Sequence, residues 1–101
     1  MPDADTKPFE WNGTPLLTIR QLGDAIVAID TREEAHRFMA AYRAYTPYAA
    51  ANVGYVAGYY HQETAQRIYA LFQTAHPIFG THVPTPEEAV TAGQQMMEGL
   101  Q

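Results

Sequence analysis

The run from Ala44 to Gln62 contains no charged side chain, and its centre, Tyr48 to Tyr60, reads YAAANVGYVAGYY. Thr46-Pro47 marks a helix start there, because proline at the first helical position lacks only an N–H that would be unpaired anyway. The sequence therefore predicts a helix from Pro47 to Tyr60. That is short for a bilayer, which needs about 20 apolar residues, and a helix apolar all round in a soluble protein is a buried one. Advancing about 100° per residue puts Tyr48, Asn52, Tyr55 and Tyr59 on one stripe, with Ala50, Gly54, Ala57 and Gly58 on the far side. Glycine inside a helix costs about 1 kcal/mol relative to alanine, so Gly54 and Gly58 imply close packing against a neighbouring backbone. On the other stripe each ring that is buried needs a partner for its hydroxyl.

The flanking sequence supplies further helix starts. Thr18 stands three residues before Gln21, the spacing of a reciprocal cap, and opens the apolar series Ile19, Leu22, Ile26, Ile29. Asp30 or Thr31 caps a second helix carrying Ala35, Phe38, Met39, Tyr42 and Tyr45 on one face. From Glu63 to Ala75 an amphipathic pattern sets Ala65, Ile68, Tyr69, Leu71, Phe72 and Ala75 opposite Gln66, Arg67, Gln73 and Thr74. Thr85-Pro86-Glu87-Glu88 starts a last helix with Ala89, Val90, Gly93, Met96, Met97 and Leu100 inward. Near the start, Asn12-Gly13 is a hairpin-turn pair, with Phe9 and Trp11 lying over the bundle as a lid. The reading is all-α: a compact bundle of four to five short helices after a short N-terminal hairpin, with residues 1–8 a disordered tail and 9–101 a single helical domain.

Composition narrows the partners. Eleven acidic against six basic residues give a net charge of −5, the wrong sign for a phosphate-backbone binder, which needs a basic stripe. Neither nucleic acid nor a membrane is the expected partner. With no cysteine the chain has no disulfide, thiolate metal site or thiol nucleophile, which suits a cytoplasmic address. The acidic, polar opening MPDADTK is not a signal peptide.

Catalytic signals are sparse. His36, His61, His76 and His82 form no HExxH and no i, i+4 pair, there is no serine, and neither GxGxxG nor GxxxxGK[ST] occurs. His61 reads as a helix cap, with Glu63 answering the positive end of the helix dipole. No metal, cofactor or catalytic residue is expected.

The tyrosines stand out. All seven (42, 45, 48, 55, 59, 60 and 69) fall between Tyr42 and Tyr69, and large amphipathic rings are favoured at interfaces. Tyr48, Asn52, Tyr55, Tyr59 and Tyr60 are therefore candidate partner-binding residues. Ile78 and Phe79 join them from HPIFGTHVPTP, a proline-rich loop expected to be non-helical: these two either plug the open end of the bundle or project into a partner. NVGYVAGYY, the HPIFG loop and the closing PTPEEA together resemble small proteins carried by phages and mobile elements of GC-rich bacteria. The resemblance covers most of the chain from Trp11 onward and implies an accessory or host-directed role, without carrying over any site residue. The leading functional reading is a non-enzymatic protein-interaction module that binds another protein or a second copy of itself. The alternatives are an acidic inhibitor of a nucleic-acid-binding enzyme and a small enzyme using histidine with tyrosine.

Overall fold

In the computed structural model, which describes residues 8–80, 82 and 84–99, the chain runs through a two-strand hairpin and five α-helices. The tail expected over residues 1–8 lies outside the described residues except for Pro8, and so does Leu100. The hairpin pairs β1 (Glu10–Trp11) with β2 (Thr14–Pro15) antiparallel, Trp11 opposite Thr14. Asn12 and Gly13 take positive φ of 53° and 81°, the two left-handed residues of a type I′ turn, which matches the twist of the strands it joins.

Side-chain caps set the helix starts. α1 (Ile19–Ala28) begins where the Thr18 hydroxyl accepts from Gln21 N–H at 3.1 Å while Gln21 Oε1 accepts from Thr18 N–H at 3.0 Å. α2 (Arg32–Tyr45) is capped by Thr31, not Asp30, through Glu34 N–H at 3.1 Å. α5 (Pro86–Gly99) repeats the reciprocal cap with Thr85 and Glu88 at 2.8 and 3.2 Å. Hydrogen bonding from the Thr85 N–H and hydroxyl, with His82 adding a smaller attraction, holds the Glu88 carboxyl below its ordinary range.

α3 is shorter than its charge-free sequence suggests. It spans Ala49–Ala57, nine residues, and Pro47 lies in the turn before it instead of at its first position. A residue preceding proline is pushed out of the helical region. Thr46 accordingly sits extended at φ −147°, ψ 140° and ends α2, so the chain needs two more residues to turn before α3 can start. At the other end Gly58 is the C-cap, and Tyr59 and Tyr60 continue in a turn. No helix among the described residues is long and apolar enough to cross a membrane.

α3 and α4 (Gln62–Phe72) form the middle of the bundle, each packed against the other four helices, with α5 closing one side and α1 and α2 the other. The α3–α5 contact is the tightest. A Cβ on Gly93 would lie 2.6 Å from Gly58 N, and one on Gly58 would lie 2.9 Å from the Gly93 carbonyl carbon, so these two backbones are in direct contact. Gly54 instead faces the Met96 thioether and the Tyr69 hydroxyl.

The core holds Leu22, Ile26 and Ile29 of the α1 segment, Ala35, Phe38, Met39 and Tyr42 of α2, and Ala65, Ile68, Tyr69 and Phe72 of α4. An aromatic chain links its parts. Trp11 and Phe9 meet Phe38 edge-on at 5.0 and 5.6 Å, and Phe38 meets Phe72 at 6.1 Å. Phe79 then closes on Phe72 and Tyr69 at 5.8 and 5.2 Å.

Four expectations need correction. Ile19, expected inward on α1, is exposed, as is Tyr45 at the end of α2. Ile19 is the first residue of its helix, where the turn has not yet come under its neighbours. The loop after α4 contains a 3₁₀ turn, Pro77–Phe79, capped by the His76 ring, whose Nδ1 accepts from Ile78 N–H at 3.2 Å. Nor is the far side of α4 merely solvated. Arg67 donates to Ile29 and Val27 carbonyls at 2.8 and 2.9 Å, tying down the end of α1 where unpaired carbonyls collect. On the same side Gln66 donates to Pro84 O at 2.7 Å and Gln73 is buried.

Candidate functional site

The residues proposed for partner contact do not stay together in space. Phe79 is 4% exposed and held between Tyr69 and Phe72: it is the plug of the bundle, and its place among the candidate partner-binding residues is withdrawn. Ile78 beside it is exposed, but it lines neither of the two clefts described next.

What remains forms a face built by α1 and α3. The segment entering α1 presents Leu17 and Ile19, 66% and 53% exposed. The turn from α2 into α3 adds Tyr45 and Tyr48, 47% and 64% exposed, and Tyr59 follows at 63%. Two clefts cross this face, with Ile19 on the wall of both. One, of about 220 Å³, lies among Leu17, Ile19, Tyr45 and Asn52, with Leu22 and Tyr42 in its lining. The other, of about 290 Å³, lies among Ile19, Arg20, Gly23, Val56, Tyr59 and Tyr60.

Several polar groups on this face pair locally. Asn52, half-buried, donates to the Tyr42 hydroxyl at 3.0 Å; burial raises the Tyr42 pKa and this bond partly offsets the rise. Tyr55 and Tyr59, one turn apart, share a hydroxyl–hydroxyl bond of 2.7 Å with their rings edge-on, and that bond is the main reason the Tyr59 pKa is raised. Tyr60 lies across α1 where Gly23 makes room: a Cβ there would sit 2.6 Å from the Tyr60 hydroxyl. Burial, then Asp24 nearby, raises the Tyr60 pKa, while Arg20 lowers it. The Tyr42, Tyr55 and Tyr59 hydroxyls are thus paired locally, while Leu17, Ile19, Tyr45 and Tyr48 remain exposed beside them.

Leu17, Ile19, Tyr45 and Gly23 were not legible as members of this face. Ile19 read as part of the inward apolar series of α1, and only the placement of α1 against α3 shows that it and Leu17 are exposed among the described residues. For the histidines the structure gives local duties: His61 caps α4 through a long 3.5 Å contact to Glu63 N–H, and His82 lies 3.8 Å from Glu88 at the surface. Among the described residues no group of three or more His, Cys, Asp or Glu is placed to hold a metal ion.

The geometry defines an all-α bundle with a largely apolar, tyrosine-bearing face. No family model, curated protein or solved structure matches the chain.

Proposed function

We propose that this protein is a non-enzymatic interaction module whose α1–α3 face binds a second copy of the same chain. The observation that carries the reading is the exposed set Leu17, Ile19, Tyr45, Tyr48 and Tyr59, which brings large apolar groups and no carboxylate to one surface of a chain with net charge −5. A two-fold contact lays a patch on its own copy, so in an acidic protein the self-associating surface must be the one without acids. Arg20 on the wall of the second cleft is basic, and Asp24 acts on Tyr60 from beside it. A standard interface takes about 800 Å² from each partner, a modest share of a 6128 Å² surface. Exposed tyrosines are suited to this, since they cover much area for little rotamer entropy.

Light scattering during gel filtration, from micromolar to millimolar protein, tests the reading. The mass should rise from 11.3 kDa toward twice that value, and added salt should favour the dimer by screening two acidic bodies from one another. Ile19→Asp should hold the chain monomeric without lowering its melting temperature. A wild-type chain that stays monomeric across that range overturns the self-association. An acidic inhibitor would behave in the opposite sense, its complex with a basic partner weakening as salt is added.

A further inference from the structure

A second region carries chemistry that the α1–α3 face does not use. Arg32, Glu33, His36, Arg37 and Ala40 along α2, with Thr74 just past α4, line an open concavity of about 610 Å³. In a chain with eleven carboxylates, neither Arg32 nor Arg37 has an ion-pair partner among the described residues, where the one such pair is His82–Glu88.

The bonds around this concavity leave donors unspent. Arg32 Nη2 donates to Ala70 O and Gln73 Oε1, both at 3.2 Å, leaving the rest of its fork free. The Arg37 guanidinium lies 5.7 Å over the Trp11 ring. His36 Nε2 is 3.1 Å from the Gln73 carbonyl, which can only accept, so that nitrogen carries the proton. The same N–H faces Thr74 Oγ1 at 3.2 Å, making the hydroxyl an acceptor there and leaving the Thr74 proton to donate elsewhere.

Two anomalies sit at this point. Gln73 is 5% exposed, and its amide Nε2 has no hydrogen-bond partner; turning the amide over would set a donor against the Arg32 donor, so the group lacks an acceptor in either orientation. Thr74, β-branched, is held at φ 67°, a conformation such residues rarely adopt and one that collects at ligand sites.

We propose that this junction binds a phosphate monoester. Arg32, Arg37 and Thr74 bring their donors to the lining of one concavity, and the unpaired Gln73 amide is next to Thr74 in the chain. A group with three terminal oxygens can engage more of them than a two-oxygen carboxylate can, and two arginine forks suit its charge. Glu33 is the opposing group on the rim, and Ala40 offers apolar wall to the organic part of the ester.

Phenyl phosphate, with benzoate as the carboxylate control, provides the test by NMR on ¹⁵N-labelled full chain. Saturable shifts of the Gln73 side-chain amide and the Thr74 backbone amide are expected with phenyl phosphate. Arg37→Gln should weaken binding at least tenfold while the chain stays folded with only a small drop in melting temperature, since this guanidinium makes no hydrogen bond among the described residues and gives up only its contact over Trp11. Glu33→Gln should tighten it a few-fold by removing the opposing charge. Shifts that never saturate, that survive Arg37→Gln, or that benzoate reproduces equally well would each overturn the assignment.

Discussion

The two sides of α3 are made from the same uncharged stretch and do opposite things. On the α5 side the side chains have been deleted: Gly58 and Gly93 lie backbone on backbone, and Gly54 admits Met96. On the α1 side large rings have been added, some half-buried and some left in solvent. Where glycine removes side chains a helix is permitted one close neighbour, and the fit is intolerant of volume. Where tyrosine adds them the helix presents area, and the fold itself asks little of that area.

The sharpest way to break this contrast is Gly58→Leu. It should be the most damaging change considered, above the about 3–5 kcal/mol expected for truncating a buried ring as in Phe79→Ala, because the opposing atoms are backbone and cannot rotate away. A urea melt decides it; a variant as stable as wild type would mean that α3 and α5 do not meet there. Gly54→Ala should cost less, about 1–3 kcal/mol, since the atoms it displaces belong to the flexible Met96 side chain.

Crossing to the polar contacts, Gln66→Ala should lower stability by about 1 kcal/mol through loss of its bond to Pro84 O. A silent Gln66→Ala would return the far side of α4 to solvent. Alkaline melts sharpen the same picture. Burial pushes the Tyr69 hydroxyl up to about 12 from 10.0, so the neutral form is favoured on folding. That stability is fully present below pH 10 and is lost as pH rises from 10 toward 12. Tyr69→Phe should flatten this alkaline decline, and an unchanged slope would place the titration elsewhere. The smallest effect belongs to the outward rings: Tyr48→Ala should shift the unfolding free energy by no more than about 0.5 kcal/mol, while weakening self-association in gel filtration.

The local signals and their limits divide along clear lines. Thr18 with Gln21, Thr31 with Glu34 and Thr85 with Glu88 fix three helix starts because a cap is satisfied within four residues and needs no distant partner. The Asn12-Gly13 turn is local in the same sense, and the periodic faces of α2 and α4 located most of the core. The tyrosine cluster pointed to α3 as the candidate interaction helix, yet it could not separate buried Tyr42 and Tyr69 from exposed Tyr48 and Tyr59.

The sequence by itself determined the all-α class, the hairpin and the caps, since each rests on contacts between residues that neighbour one another along the chain. Tertiary structure decided the rest. Gly93 is the partner of Gly58 only because α5 returns across α3. Ile19 is bare because no element among the described residues crosses the start of α1, and Phe79 is a plug because the turn after α4 folds it onto Phe72. Arg67, which periodicity set on the polar face of its helix, donates to carbonyls distant in sequence. Periodicity gives the direction of a side chain from its own helix axis, and what stands in that direction is set by chain segments tens of residues away.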